Sequence, residues 1–376
     1  GRARSVGALP LNEATPSPIF LSPGYPALEA FPFSTWARLA SQFWRAEPAH
    51  LLGYQDPQGY MPLRVAISEY LRTARGISAT PDRILVTSGS QQAVDLVARA
   101  LLEIGDKVCI EDPGYIGLKG AIMASGAVLA PAPVDENGLI VAEARANGAG
   151  TRLAIVTPTH QFPTGATLRL ARRLELLKWA SEDDVWILED DYDSEFRYSG
   201  APLAALQGID PNQRVMYLGS FSKSMFSGLR MAYLVVPPDL ASAFRAARQI
   251  VGGPPPVLEQ AVVERFLTEG HFQRHLRRMR RVYSQRQRRL IKAVEEELDG
   301  LLHVDPDETG MHLVGWLRHG MVAEDVCRRA AKEGLELLPL SSYRAEAGPE
   351  GMLLGFSEVG EPSLLRGVRL LREALV

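Results

Sequence analysis

Apolar residues in this chain come mostly in short unbroken runs rather than in alternation with polar ones. Such runs occupy 83–89, 107–111, 127–133, 152–157, 185–190, 214–219 and 231–236. Continuous apolar runs of this length are expected of strands buried on both faces. Between several of them the spacing becomes helical. Residues 62–75 place Leu63, Ala66, Ile67, Tyr70 and Leu71 on one face, and 168–181 also reads as a helix. Ser90 is placed to cap a third helix, through Val94, Leu96, Val97 and Leu101. Seven strands with helix-length connections predict an α/β fold: a seven-stranded, mostly parallel sheet with helices on both faces.

The pattern changes after Pro254-Pro255-Pro256. A long basic helix is predicted over 258–298, then short strands at 311–317 and 352–356 with a helix at 323–333 between them. A last helix starts at Pro362. This reads as a smaller α+β domain. Residues 1–50 hold Pro10, Pro16, Pro18, Pro23, Pro26 and Pro32 ahead of a helical stretch at 34–45, as in an arm or linker that contributes to the small domain. The expected division is an arm over 1–50, a large domain over 51–255 and a small domain over 256–376.

The 376 residues carry a net charge of -3, so no global field draws the chain to nucleic acid or to a membrane. No stretch is long and apolar enough to span a bilayer. Cys109 and Cys327 are too few for a disulfide framework and lack metal-ligand spacing. A reducing, cytoplasmic setting is expected. The chain opens Gly-Arg-Ala-Arg without an initiator methionine, which suggests processing or a piece of something longer.

Candidate chemistry collects at the ends of the apolar runs, where open α/β sheets place their ligands. Lys223 follows one run in Gly-Ser-Phe-Ser-Lys, and Arg230 lies seven residues further on. A lysine flanked by serines there suits pyridoxal 5'-phosphate (PLP). Its amine can form a Schiff base while Ser220, Ser222 and Arg230 take the phosphate. Ser90 and Gln91 open a helix after Gly89 and can add amide and hydroxyl donors. Tyr115, in Asp-Pro-Gly-Tyr, can stack on the pyridine. Asp190 ends the 185–190 run, and a carboxylate there needs a partner, which a pyridinium N–H would supply. Tyr192 can donate to the cofactor's phenolic oxygen. A divalent-metal reading of 189–193 competes, but no matching carboxylate or histidine cluster occurs elsewhere. His160 and Gln161 form a candidate substrate-side loop. The arginines of 274–289 share their helix with Leu276, Met279, Val282, Tyr283 and Leu290, which favours a solvated interdomain helix over a nucleic-acid surface.

Five phrases in sequence order resemble fold type I PLP proteins, which have the aspartate aminotransferase fold. They are Gly-Tyr-Gln-Asp-Pro-Gln-Gly at 53–59, Thr-Pro-Thr-His-Gln-Phe-Pro-Thr-Gly at 157–165, Glu-Asp-Asp-Tyr-Asp-Ser-Glu-Phe at 189–196, Gly-Ser-Phe-Ser-Lys at 219–223 and His-Phe-Gln-Arg-His-Leu-Arg-Arg-Met-Arg at 271–280. Within that group the chain is similar to the C-terminal domain of MocR-type (GntR-family) bacterial transcription regulators. The resemblance implies Lys223 as the Schiff-base lysine, Asp190 as the pyridine partner and Tyr192 as the ring-oxygen donor. It implies Tyr115 as the stacking ring and Ser90, Gln91, Ser220 and Arg230 as phosphate ligands. Tyr54 would reach the neighbouring subunit's phosphate, which implies a homodimer.

Two positions depart from working aminotransferases. Phe162 stands where an asparagine normally meets the ring oxygen, so His160 or Gln161 would have to replace it. The strand near 352–356 lacks the usual carboxylate-binding arginine, leaving Arg344 or Lys119 for that task. The regulators also carry a winged helix-turn-helix DNA reader, for which residues 1–20 are too short. The expected function is the effector-sensing and dimerisation domain of such a regulator, cut from its DNA reader and answering to a small amino compound or to PLP. A PLP-dependent aminotransferase is the alternative.

Overall fold

A computed structural model describes residues 19–46, 49–200 and 203–376, with the side chains of Ile19 and Phe20 excepted. The N-terminal residues 1–18, on which part of the expected arm falls, lie outside it. A short strand β1 (Ile19–Phe20) and the helix Phe33–Arg45 lead in. The main sheet follows from β2 (Ile84–Thr87), β3 (Lys107–Asp112), β4 (Val128–Asp135), β5 (Gly138–Leu139), β6 (Thr151–Val156), β7 (Trp186–Asp191), β8 (Val215–Ser220) and β9 (Ala232–Val235), in the order β2-β9-β8-β7-β6-β3-β4-β5. All seven expected strands form. The sheet has eight because two residues after the turn at Glu136–Asn137 fold back antiparallel on the end of β4, a pairing too short to show as an apolar run. Strands β8, β7, β6, β3 and β4 are parallel, whereas β9 is antiparallel to both of its neighbours.

Successive strand residues serve opposite helical layers, as the pleat requires. Leu85, Leu188, Met216 and Leu218 pack under the helices Ser90–Leu101 and Ala241–Ile250. On the other face, Ala154, Val156 and Ile187 meet the helices Val141–Asn147 and Leu170–Glu182. Also on that side, Ile84, Val86, Tyr217 and Tyr233 join Ile67 and Leu71 of the helix Met61–Ala74.

The predicted basic helix is two helices, Val257–Thr268 and His271–Glu297. Gly270 adopts φ 74 between them, a left-handed conformation that ends a helix and that glycine enters without a Cβ clash. The first of the pair packs against the helices at 33–45 and 61–74. Beyond them lies an antiparallel sheet of β10 (Leu302–Val304), β11 (His312–Leu317), β13 (Leu338–Pro339) and β14 (Gly351–Gly355), in the order β10-β11-β14-β13. A short strand β12 (Leu335–Glu336) pairs in parallel with β1, so the start of the described chain is seated beside the small sheet. Among the described residues no helix is long and apolar enough to cross a membrane.

Candidate functional site

Parallel strands place their C-terminal ends on one edge, and β2 joins them there because β9, running against both of its neighbours, aligns Ala232 with Thr87 and with Ser220. The turn Phe221–Ser224 leaves β8 at this edge, with the Ser220 hydroxyl accepting the Ser222 N–H at 3.2 Å. It presents Lys223, whose amine donates to the Gly24 carbonyl at 2.7 Å. Gly24 has φ 83, and a Cβ there would stand 2.7 Å from the lysine nitrogen. Burial lowers the Lys223 pKa, with Asp193 and then Asp190 pulling the other way. The amine is thereby kept closer to its nucleophilic form.

Asp190, on the adjacent strand β7, is 8% exposed, and its Oδ1 is buried with no hydrogen-bond partner. Burial, reinforced by Asp191, Glu111 and Asp193 and opposed by Lys223, raises its pKa to about 7. A buried carboxylate oxygen without a donor is costly, and a cationic N–H aimed at it would relieve that cost. The residue beside it is satisfied. Asp191 Oδ2 pairs with Arg75 at 2.7 Å and accepts from the Tyr217 and Ser194 hydroxyls at 2.6 and 2.8 Å.

The residues expected at the phosphate start from the same edge, where Thr87 and Ser220 are level with Ala232. Gly89 takes φ 98 at the start of the helix Ser90–Leu101, and Arg230 adopts the left-handed values φ 48, ψ 46. A Cβ on Gly89 would lie 3.4 Å from the Arg230 guanidinium, so the two are neighbours. Ser90 is not the cap it was expected to be. It is the first helical residue, which leaves its hydroxyl and the amides of the first turn for another acceptor. Tyr115 is 43% exposed, and its pKa is raised by burial and then by Asp190, against Arg230 and a side-chain hydrogen bond with Gln91. Gly117 makes room for both: a Cβ there would come 2.4 Å from Gln91 Nε2 and 2.6 Å from the Tyr115 ring. An orphaned carboxylate, a half-buried amine, an exposed ring and a basic cup on one sheet edge fit the donor set that PLP needs.

Other expected residues go elsewhere. Gln161 cannot turn to a ligand: its NH2 donates to Glu111, Pro113 and Phe162, and its oxygen accepts from Thr164. His160 is 2% exposed and lies behind Tyr192, with Nδ1 2.9 Å from the Tyr192 hydroxyl. Phe162 fills the space in front, packed edge-on to Tyr115, Tyr192 and Tyr343. Phe162, expected where an asparagine would meet the ring oxygen, thus forms part of an aromatic wall. Lys119 donates to the Tyr343 carbonyl at 2.8 Å, and Arg344 to the carbonyls of Gly348 and Pro349, both at 2.8 Å. Each cation also already faces a carboxylate of the protein, Lys119 that of Asp112 at 3.5 Å and Arg344 that of Glu350 at 3.4 Å, which competes with an incoming one. Tyr54 is fully exposed and touches none of this within one chain. Arg75, Asp193 and Asp307 were not anticipated, because what singles them out is contact across 116, 33 and 147 residues of chain, to Asp191, His160 and His160 respectively. Among the described residues no group of histidine, cysteine or carboxylate side chains could hold a metal ion.

The family model for aminotransferase class I and II matches residues 21–351. A probable rhizopine catabolism regulatory protein, MocR, from Rhizobium meliloti is 38% identical over all of this chain and 76% of its own length. A 2-aminoadipate transaminase from Thermus thermophilus is 32% identical over all of this chain and 95% of its own. Among solved structures, LysN, the α-aminoadipate aminotransferase of Thermus thermophilus complexed with a phosphopyridoxyl-leucine, superposes with a TM-score of 0.86 at 30% identity, covering all of this chain and 94% of that one. The kynurenine aminotransferase of Pyrococcus horikoshii gives 0.87 at 29%, covering 99% and 92%. The chain therefore belongs to the aminotransferase class I and II family, with MocR-type regulators among its relatives and pyridoxal phosphate as its cofactor.

Proposed function

We propose that this chain is the PLP-binding, amine-sensing and dimerising domain of a MocR-type transcription regulator, in which an amino compound exchanges with Lys223. Lys223 supplies the amine that holds the cofactor, and Asp190 keeps the pyridine nitrogen protonated. Tyr192 donates to the ring oxygen and Tyr115 covers the ring face. Ser90, Gln91, Ser220, Ser222 and Arg230 hold the phosphate, and Tyr54 of the second subunit in a homodimer completes that cup. When bound, PLP supplies an electrophilic carbon for amines and an electron-withdrawing ring. The division into an arm (1–50), a large domain (51–255) and a small domain (256–376) belongs to the same reading.

The observation that carries the sensor over the enzyme is the state of the carboxylate-binding candidates. β14 holds no arginine, and the Arg344 guanidinium is turned into its own loop, donating to Gly348, Pro349 and Glu350. An α-amino acid would meet no ready bidentate partner for its carboxylate there, so fast turnover is not favoured. The 38% identity to the regulator supports the same choice. An aminotransferase is the second reading, favoured by the transaminase relative that the chain covers almost end to end.

Titrating the PLP-loaded protein with a panel of amino compounds separates them. A sensor shows a spectral shift that saturates without release of keto acid, and multiple turnovers of keto acid would establish the enzyme. Lys223→Ala removes the visible band; a retained band would assign the cofactor to another lysine.

A further inference from the structure

His160 is buried at a seam. Its loop follows β6 of the large sheet, while Asp307 lies on the segment leading into β11 of the small one. Nδ1 is 2.9 Å from Asp193 Oδ2 and also 2.9 Å from the Tyr192 hydroxyl. Nε2 makes no hydrogen bond and approaches Asp307 Oδ2 at 3.4 Å as an ion pair. Gly310 makes room for the ring, since a Cβ there would stand 2.1 Å from its Cε1, and a Cβ on Gly165 would press on Nε2 at 3.3 Å.

The hydrogen positions follow from the partners. A carboxylate accepts, so the hydrogen between His160 and Asp193 belongs to Nδ1. The Tyr192 oxygen then faces an N–H rather than a lone pair, and its own proton has to point away from the imidazole. Were Nδ1 bare, it would capture that proton instead.

We propose that His160 is a positioning residue for Tyr192: Asp193 holds its Nδ1 hydrogen in place, Asp307 ties its far side to the small sheet, and the Tyr192 O–H is thereby left free to donate at the cofactor site. Seating of the small-sheet segment is then felt at the ring oxygen. Burial alone would lower the His160 pKa, but Asp193 and Asp307 outweigh it and raise it to about 10. The other groups facing this imidazole do not compete. His312, whose ring centroid is 5.2 Å away, donates from Nε2 to the Pro163 carbonyl, and burial followed by the His160 charge lowers its pKa to about 3. Burial, then Asp193 and Asp190, keep the Tyr192 phenol protonated.

The inference rests on PLP being held at Lys223, and its test is the pH titration of the visible band of the PLP-loaded dimer. A donor at the ring oxygen favours negative charge there, so losing it moves the midpoint upward. Tyr192→Phe should raise the midpoint by about one pH unit, the scale of one lost charge-assisted hydrogen bond. Asp193→Asn and the milder Asp307→Asn should each shift it in the same direction. In the Tyr192→Phe background, the Asp307→Asn shift should vanish, and the Asp193→Asn shift should turn downward, to the direct effect of losing that negative charge near Lys223. Equal shifts in both backgrounds, or a parent midpoint in Asp307→Asn, would overturn the proposal. Asp307 is 23% exposed, so its variant is expected to fold even if the buried Asp193→Asn does not. Absence of any visible band in the parent would instead sink the assignment of PLP to Lys223.

Discussion

The Asp190 carboxyl shows how one unpartnered atom links stability to function. Its pKa is raised by burial to about 7, against about 3.9 in an unfolded chain. Its own contribution to stability is therefore greatest below pH 4. That contribution is lost as pH rises from there through 7, because the unfolded chain ionises first. Asp190→Asn should stabilise the cofactor-free protein at pH 8 by on the order of 1–3 kcal/mol while weakening PLP retention. Thermal melts with and without PLP would show the crossing, and a variant that melts lower in both states would refute it. Arg75 behaves oppositely. Its removal leaves Asp191 buried and unpaired, and Arg75→Ala should cost about 3–5 kcal/mol in a denaturant titration. Lys223, Asp190 and Tyr192 were legible in sequence because they end apolar runs within a few residues of a strand. Arg75 and Asp307 were not, since their roles come from partners far along the chain.

At the scale of elements, strands and helices were read closely and their ends less well. Apolar runs mark buried strands, but nothing in the composition of 258–298 announces a break other than Gly270, and one glycine inside a basic helix is a weak signal. Ser90 looked like a cap because serine usually is one. The left-handed φ of Gly89 decided otherwise, and a backbone angle is not written in the residue type of its neighbour. The helix Ile116–Ser125 carries its own test. Gly117→Ala improves helix propensity by about 1 kcal/mol, yet its Cβ would strike Gln91 and Tyr115. We expect unchanged or higher thermal stability with PLP affinity reduced about tenfold, in line with the loss of one stacking contact. Unchanged affinity by fluorescence titration would show that Tyr115 does not cover the ring.

Across the whole molecule, the two sheets and the leading segment share one continuous apolar core. That core runs from Leu21 and Phe31 through Tyr217 and Tyr283 to Phe356 and Leu371. This breadth was not legible from the two patterns on either side of the triple proline, which by themselves suggest two separate bodies. The segment after β1 is stitched in at several points. Leu21 accepts from the Gly355 amide, Tyr25 accepts from the Ser357 hydroxyl at 2.6 Å, and the Ala27 amide donates to the Tyr283 hydroxyl at 2.9 Å. A Cβ on Gly355 would stand 2.0 Å from the Ser22 carbonyl oxygen. Gly355→Ala should therefore lift this segment and speed protease cleavage near residue 22, with little change in secondary structure by circular dichroism. Equal cleavage rates would count against it.

Gly24 lies within that stitched stretch, and its carbonyl depends on the lysine nitrogen for a donor. Whenever that nitrogen engages another molecule, the carbonyl must find a new partner or turn outward to water. Occupancy at the heart of the protein and the seating of its leading strand thus draw on the same few hydrogen atoms.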